Sequence, residues 1–120
     1  MREQADRIGV YVGTSIGNLA EVFGMHATYR RSGACRPLFG FHTFHQSIGC
    51  LVSAALDCRG PLHTTSSGCN SGLDALGQAA RLVAHGDADA MLVIGTDCEL
   101  VPEVFAAPGR CRRTRDSLQR

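Results

Sequence analysis

The run ADAMLVIGTD at residues 88–97 constrains the fold more than any other stretch, because it is almost continuously apolar. A strand covered by helices on both faces of a parallel sheet has this pattern, whereas a half-exposed strand alternates apolar and polar residues. Patterns in the preceding segments predict strand, helix, helix, strand and helix at residues 7–15, 18–31, 41–57, 62–68 and 70–85. This order predicts an α/β fold, with helices layered on a mixed, partly parallel sheet.

The length and the apolar segments limit the class of protein. The chain has 120 residues, enough for one domain with a real core. No segment has the apolar length needed to span a bilayer, and the charged start MREQADR lacks the apolar stretch of a secretory signal. We therefore expect no membrane partner and a cytoplasmic location, in which the six cysteines stay reduced.

Charge is distributed unevenly along the chain. Residues 1–107 hold seven arginines against ten acidic residues, a net charge of −3, and residues 108–120 hold five arginines against one aspartate, a net charge of +4. The chain has no lysine, and the arginine-rich end has no aromatic side chain. We interpret residues 108–120 as a disordered, solvated tail and expect no nucleic-acid partner.

The cysteines do not have the spacing of a metal site, since they form no CxxC pair at positions 35, 50, 58, 69, 98 and 111. His42 and His45 of HTFH are the nearest approach to a ligand pair, and no second pair accompanies them. We therefore expect neither a metal nor a bound cofactor. Cys50, Cys58 and Cys98 are expected to be small core residues, as free cysteines often are.

A first candidate nucleophile is Ser15, which stands in a G-x-S-x-G sequence between a predicted strand and a predicted helix. This is the pattern of the nucleophile elbow of serine hydrolases. Two downstream pairs have the required order, Asp57 with His63 and Asp74 with His85. However, an elbow so near the N-terminus leaves no earlier strands for the usual sheet, and a glycine-rich turn explains the pattern equally well. We therefore do not expect Ser15 to be a nucleophile.

A second candidate is Cys69, in the stretch TTSSGCNSGLDALG, where a predicted strand gives way to a predicted helix. The first free N–H groups of that helix would point toward the sulfur, and the helix dipole would favour the thiolate. Gly68 and Gly72 leave room for a substrate, and the Cys69 N–H could help to hold an oxyanion. Asn70 and Ser71 could cap the helix. On this local chemistry alone, a nucleophile and an inert buried thiol both remain open.

Two acidic residues follow the last predicted strand, Asp97 and Glu99. We interpret both as structural residues that take part in turn hydrogen bonding or in a salt bridge, rather than as groups that carry chemistry.

Four blocks in fixed order connect Cys69 to a known family. They are GP at residues 60–61, SGCNSG at 67–72, GDAD at 86–89 and GTD at 95–97. With these blocks the chain resembles the active-site stretch of β-ketoacyl synthases, the condensing enzymes of fatty-acid and polyketide synthesis. The upstream GVYVGTSIG is similar to the family's glycine-rich strand and turn, which removes the case for Ser15. His45 stands where the family usually has Asn.

The resemblance implies a fold, a reaction and partners. Residues 7–107 would be a β-ketoacyl synthase N-terminal domain, the first half of a thiolase-like fold. Cys69 would be the catalytic nucleophile, which accepts an acyl group from a thioester on an acyl carrier protein or coenzyme A for a decarboxylative Claisen condensation. The sequence GLDALG favours the polyketide branch of the family. A homodimer or a heterodimer with a second ketosynthase-like chain is implied too, through residues 62–66.

The resemblance also implies that parts are missing. In the family two catalytic histidines and a lysine follow the nucleophile, and none of the five histidines here matches their motifs. We therefore expect an incomplete fragment, which lacks the family's first strand and second half and is at best slowly self-acylated. Two alternatives stay open: a non-catalytic ketosynthase-like pairing module, and a thiolase-type enzyme that uses coenzyme A thioesters.

Overall fold

The computed structural model describes residues 2–98, 100–102 and 104, which form three strands and five helices. The strands are β1 (Ile8–Gly13), β2 (Leu62–Thr65) and β3 (Ala90–Gly95), and the helices are α1 (Arg2–Ala5), α2 (Leu19–Ser32), α3 (Phe39–Thr43), α4 (Ser47–Leu56) and α5 (Ser71–His85). The expected tail, residues 108–120, lies outside the described residues, as do Glu99 and Cys111. Among the described helices, none combines the length and the apolar character needed to cross a bilayer.

The described strands all run parallel, in the order β2-β1-β3. Val10 of the central strand β1 is paired with Leu62 of β2 on one side and with Leu92 of β3 on the other. Parallel neighbours need a long crossover, and here α2, α3 and α4 lead from β1 to β2 while α5 leads from β2 to β3. The expected α/β fold is confirmed, and the described part of the sheet is parallel throughout rather than mixed.

Different helices cover the two faces of this sheet. Val10 and Val12 are 1% and 0% exposed, and Val12 faces α4, because a Cβ atom on Gly49 would lie 3.2 Å from its Cγ2. On the other face α5 contacts β1 and β3. Helix α5 buries Ala75 and Ala79, which are one helical turn apart. The core next to β1 is therefore a thin layer of valines and alanines, and Met25 of α2 adds the largest buried side chain.

The closest approach of α5 to the sheet is at Gly13, the last residue of β1. A Cβ atom at this position would collide with the backbone carbonyl of Ser71, the first residue of α5. A second contact joins Gly95 to Gly72, since a Cβ on Gly95 would lie 3.5 Å from the Cα of Gly72. The start of α5 therefore rests directly on the ends of β1 and β3, with no side chain between them.

The substitution Gly13→Ala is expected to destabilise the fold by about 1–3 kcal/mol, because the new methyl group meets a carbonyl that cannot rotate away. Gly77→Ala is the matched control, since nothing lies within 4 Å of a Cβ at that position in the middle of α5. It should stabilise the chain by about 0.5–1 kcal/mol through helix propensity. Urea unfolding followed by circular dichroism measures both, and equal effects would contradict the close contact.

The segment between β1 and β2 differs from the prediction. The pattern of residues 41–57 predicts one helix, but α3 ends at Thr43, Phe44 is extended (φ −70°, ψ 140°), and α4 begins at Ser47. The N–H of Ser47 donates to the Phe44 carbonyl oxygen at 3.0 Å and closes the turn between the helices. The stretch FHTFH holds only aromatic, β-branched and imidazole side chains, which have low helix propensity. The prediction of a single helix is therefore wrong.

The structure confirms the predicted end of α5 and corrects the expected burial of one cysteine. Gly86 ends α5 in the left-handed conformation, with φ 82°, as the sequence predicts. The expectation of buried cysteines is wrong for Cys98, which is exposed in the turn after β3, whereas Cys50 and Cys58 are half-buried. The backbone of Cys98 is held in this turn, since its N–H donates to the Gly17 carbonyl oxygen at 3.1 Å, and its side chain is left exposed.

Candidate functional site

The carboxyl ends of the three strands bring three turns to one edge of the sheet. These turns are residues 14–17 after β1, residues 66–70 after β2 and residues 96–98 after β3. The hydroxyl of Ser66 donates to the Ser15 carbonyl oxygen at 2.7 Å and joins the first two turns. Ligands of open α/β sheets bind outside this edge, so the three turns form the candidate site.

Cys69 lies in the turn after β2, directly ahead of α5. Gly68 before it is left-handed, with φ 71°, and no atom comes within 4 Å of the position of a Cβ there. Asn70 after it is the N-cap residue of α5. The Cys69 side chain is exposed rather than buried within the described part of the chain. The thiol is therefore open to solvent at the start of a helix of 15 residues, beside a position that only glycine adopts without strain.

Ser71 fastens this turn to the start of α5, although it is only 3% exposed. Its hydroxyl accepts a hydrogen bond from the Ser67 N–H at 2.9 Å and donates to the Gly68 carbonyl oxygen at 2.6 Å. Neither Ser71 nor Asn70 caps the helix N–H groups with its side chain, so that expectation is wrong. The reason is that Asn70 has helical rather than extended backbone angles, with φ −93° and ψ −2°.

Asp74, in the first turn of α5, accepts hydrogen bonds from both sides of Cys69. The Ser67 hydroxyl donates to its Oδ2, and the Asn70 Nδ2 donates to its Oδ1 at 3.0 Å. The sequence pattern indicates Asp74 only as a hydrolase partner and does not predict this role. The available signal was the spacing of Asn70 and Asp74, because residues four apart are neighbours on a helix.

Asp97 organises the turn after β1 in a similar way. Its carboxylate accepts hydrogen bonds from the Thr14 hydroxyl at 2.7 Å and from the N–H groups of Ser15, Ile16 and Gly17 at 2.8, 3.0 and 3.3 Å. Partial burial disfavours the charged form, but these hydrogen bonds favour it more strongly, so the pKa of Asp97 lies below its usual value. The expected turn hydrogen bonding of Asp97 is confirmed.

The substitution Asp97→Asn is expected to destabilise the fold by about 1–2 kcal/mol at neutral pH, because the donors lose a charged acceptor in a partly exposed turn. Since folding lowers the pKa of Asp97, its contribution is present above the ordinary value of 3.8 and is lost as the pH falls through the lower folded value. The stability difference between the wild-type chain and the variant should therefore shrink in strong acid.

Unfolding titrations at several pH values between neutrality and strong acid measure this difference. Asp87→Asn is the matched control, because the Asp87 side chain is exposed and makes no hydrogen bond in the described part of the chain. A stability loss in Asp97→Asn that stayed constant at every pH would show that the carboxylate charge does not hold the turn.

The structure does not assemble a hydrolase triad around Ser15. Asp57 is ion-paired with the arginine two residues after it, and His63 stacks on a tyrosine of β1 with ring centroids 5.3 Å apart. His85 is the last residue of α5, so it lies at the far end of the helix from the three turns. Asp74 is bound to the turn after β2. The structure therefore gives Asp57, His63 and Asp74 other contacts and brings none of these residues to Ser15 as a triad.

Some further groups lie at the same edge of the sheet. The His45 ring is close to the turn after β1, since its Cδ2 is 3.4 Å from the position of a Cβ on Gly17. A cavity of about 200 Å³ opens between the turns after β1 and β3, lined by Gly17, Asn18, Ile48, Thr96, Asp97 and Cys98. The hydrogen bonds among the described residues connect no histidine to Cys69, and the same residues contain no group of three side chains fit to hold a metal ion.

Known proteins share this sequence pattern. Residues 1–119 match the family model described as "Beta-ketoacyl synthase, N-terminal domain". The chain is 35% identical over 112 residues to 3-oxoacyl-[acyl-carrier-protein] synthase 2 of Vibrio cholerae, which covers 92% of this chain and 27% of the relative. It is 31% identical over 119 residues to the protein of the same name from Staphylococcus aureus, which covers 96% of this chain and 30% of the relative. The chain thus spans less than a third of these curated relatives.

A solved structure has a similar fold. It is a type II polyketide synthase acyl carrier protein in complex with its ketosynthase bound to the hexaketide, and the likeness has a TM-score of 0.74 at 21% sequence identity. The matched region covers 83% of this chain and 29% of that chain. At this identity the likeness shows the fold alone, and it confirms the partial thiolase-like α/β fold that the sequence predicts.

Proposed function

The chain belongs to the β-ketoacyl synthase family, and on that premise we propose that Cys69 is its nucleophile. The observation that carries the proposal is the position of Cys69, with an exposed thiol at the carboxyl edge of a parallel sheet and at the N-terminus of α5. Helix N-termini stabilise negative charge, which would help to hold the oxyanion that forms when the thiol attacks a carbonyl carbon. The substrate would be an acyl thioester of an acyl carrier protein or coenzyme A, in fatty-acid or polyketide synthesis in the cytoplasm.

The proposed chemistry begins with attack of the Cys69 thiolate on the thioester carbonyl carbon. The carbonyl oxygen gains the negative charge, which backbone N–H groups near the start of α5 would stabilise. The intermediate collapses as the bond to the carrier sulfur breaks, so the carrier leaves as a thiolate and the acyl group stays on Cys69. In the condensation, a malonyl thioester loses carbon dioxide, and the resulting carbanion attacks the Cys69 thioester and releases the thiolate.

The described residues supply the first of these two steps better than the second. Cys69 has its turn, its helix and open access, but the described hydrogen bonds include none between Cys69 and a histidine. Decarboxylation leaves negative charge that the family's histidines and lysine would offset, and the chain spans less than a third of its curated relatives. We therefore propose self-acylation for this chain, since condensation would need groups that the described residues do not bring to Cys69.

Acylation of Cys69 is tested by incubating the purified chain with butanoyl-coenzyme A and, separately, with butanoyl acyl carrier protein. Intact-mass measurement should show one added acyl group in the wild-type chain and none in Cys69→Ala. Cys98→Ala is the matched control, because Cys98 is also an exposed cysteine at this edge of the sheet, and it should acylate like the wild-type chain. Acylation that persists in Cys69→Ala would exclude Cys69, and activity only with coenzyme A would favour a thiolase-type enzyme.

A second candidate function, a ketosynthase-like pairing module, is favoured by the free edge of β2. In the described residues β2 pairs only with β1. Hydrogen bonds from Val10 N–H to the Pro61 carbonyl oxygen at 2.9 Å and from Thr14 N–H to the Thr65 carbonyl oxygen at 3.1 Å direct alternate residues toward β1. The N–H and carbonyl group of Thr64 therefore point outward, where a strand of a second copy or of a related chain could pair.

The substitution Thr64→Pro should convert such a dimer to monomers, because proline removes the outward N–H and places its ring at the free edge while the pairing with β1 stays intact. Thr64→Val is the matched control, since the Thr64 hydroxyl is buried without a hydrogen-bond partner in the described structure and valine keeps the backbone N–H. Light scattering after size exclusion measures the mass. A monomeric wild-type chain would rule out self-pairing, and a dimer unchanged by Thr64→Pro would place the interface elsewhere.

A further inference from the structure

We propose that Asp74 is a positioning residue that holds the turn carrying Cys69 in the orientation needed for acyl transfer. The proposal rests on the proposed function of Cys69 and goes beyond it by adding a second residue to the site. Asp74 lies five residues after Cys69 and one turn into α5. It therefore acts from the rigid helix on the turn ahead of it.

The geometry of the carboxylate supports this role. Its Oδ2 receives the hydrogen bond of the Ser67 hydroxyl, two residues before Cys69, and its Oδ1 receives that of the Asn70 Nδ2, one residue after Cys69. Both oxygens are used, and they bind residues on opposite sides of the thiol. A charged acceptor strengthens both bonds, and a negative charge in the first turn of α5 also suits the helix dipole.

The two hydrogen bonds that Asp74 accepts from Ser67 and Asn70 are called the clamp below. The turn depends on this clamp because burial does not fix its conformation. Residues 66–70 are all exposed, and the position of a Cβ on Gly68 is free of atoms within 4 Å. Ser71 ties the backbone of Ser67 and Gly68 to the helix, but it leaves the side chains of Ser67 and Asn70 free. Only the Asp74 carboxylate, among the described hydrogen bonds, joins the two side chains that flank Cys69.

Loss of the clamp should affect the acylation of Cys69 more than its alkylation. A small alkylating reagent can reach an exposed thiol from many directions, whereas acyl transfer needs one line of attack on the carbonyl carbon and a fixed place for the oxyanion. Loosening the turn should therefore slow acylation far more than alkylation. Unfolding would also spare alkylation and abolish acylation, but it would remove the secondary structure, which loosening of the turn alone would leave intact.

The test uses the full chain with Cys69 as its sole cysteine, and compares the rates of acylation by butanoyl-coenzyme A and of alkylation by iodoacetamide. Asp74→Ala should lower the acylation rate by about tenfold or more, as small misplacements of reacting groups do, and change alkylation by less than about threefold. Asp74→Asn keeps an acceptor for Asn70 and a partner for Ser67, so it should recover most of the acylation. Asp87→Ala, an exposed acid outside the clamp, should behave like the parent chain.

A second variant keeps the test valid if Asp74→Ala does not fold, as circular dichroism would reveal. The double substitution Ser67→Ala with Asn70→Ala removes the clamp from its other side and leaves the carboxylate on α5. It should give the same selective loss of acylation. Equal acylation and alkylation ratios in the parent chain, Asp74→Ala and the double variant would overturn the proposal.

The clamp can also be judged apart from the proposed function. If the parent chain is not acylated at Cys69, the proposed function fails, but hydrogen exchange of the amides of residues 67–71 still reports on the turn. The clamp predicts faster exchange at these amides in Asp74→Ala than in the parent chain and in Asp74→Asn. Unchanged exchange would refute the clamp whether or not Cys69 accepts an acyl group.

Discussion

The direct packing of α5 on the sheet is the constraint on which the rest of the structure depends. Gly13 meets the carbonyl of Ser71, and Gly72 meets Gly95, so backbone lies against backbone at both points. A side chain at either point would lift the helix away from the sheet. Because only residues 66–70 lie between β2 and α5, the start of the helix determines where the thiol lies. The position of the site therefore depends first on the glycines at the contact between α5 and the strands, and only then on polar contacts.

The carboxylates of Asp97 and Asp74 fix the conformation of the turns that the packing of α5 does not determine. The turns after β2 and β3 are exposed, and the turn after β1 buries only Thr14 and Gly17, so hydrogen bonds as well as burial select their conformation. Asp97 accepts hydrogen bonds from the N–H groups of the turn after β1, and Asp74 accepts hydrogen bonds from the side chains on either side of Cys69. The hydrogen bond from Ser66 to the Ser15 carbonyl oxygen joins the two turns. The support of the thiol thus extends from α5 through the neighbouring turn to the end of β3.

The sequence predicted the features that come from periodicity and from glycine, and missed those that come from side-chain contacts. The order of the elements, the left-handed Gly86 and the turn around Cys69 follow from local patterns. The break at Phe44 was missed because the apolar content of the segment matches a helix while its propensity does not. The role of Asp74 was missed because a polar residue on a predicted helix has many solvated alternatives, and only the turn geometry brings its partners within reach.

The second face of α5 links the fold to the proposed chemistry. Leu73 and Leu76 point away from the sheet and are 69% and 54% exposed, although the opposite side of the helix is also apolar. A helix with two apolar sides is typical of a layer that lies between two others. Leu73 lies in the first turn of α5, which begins two residues after Cys69, so whatever covers this face covers the end of the helix nearest the thiol. Covering α5 would therefore stabilise the fold, and under the proposed function it would also keep water away from an acyl group on Cys69.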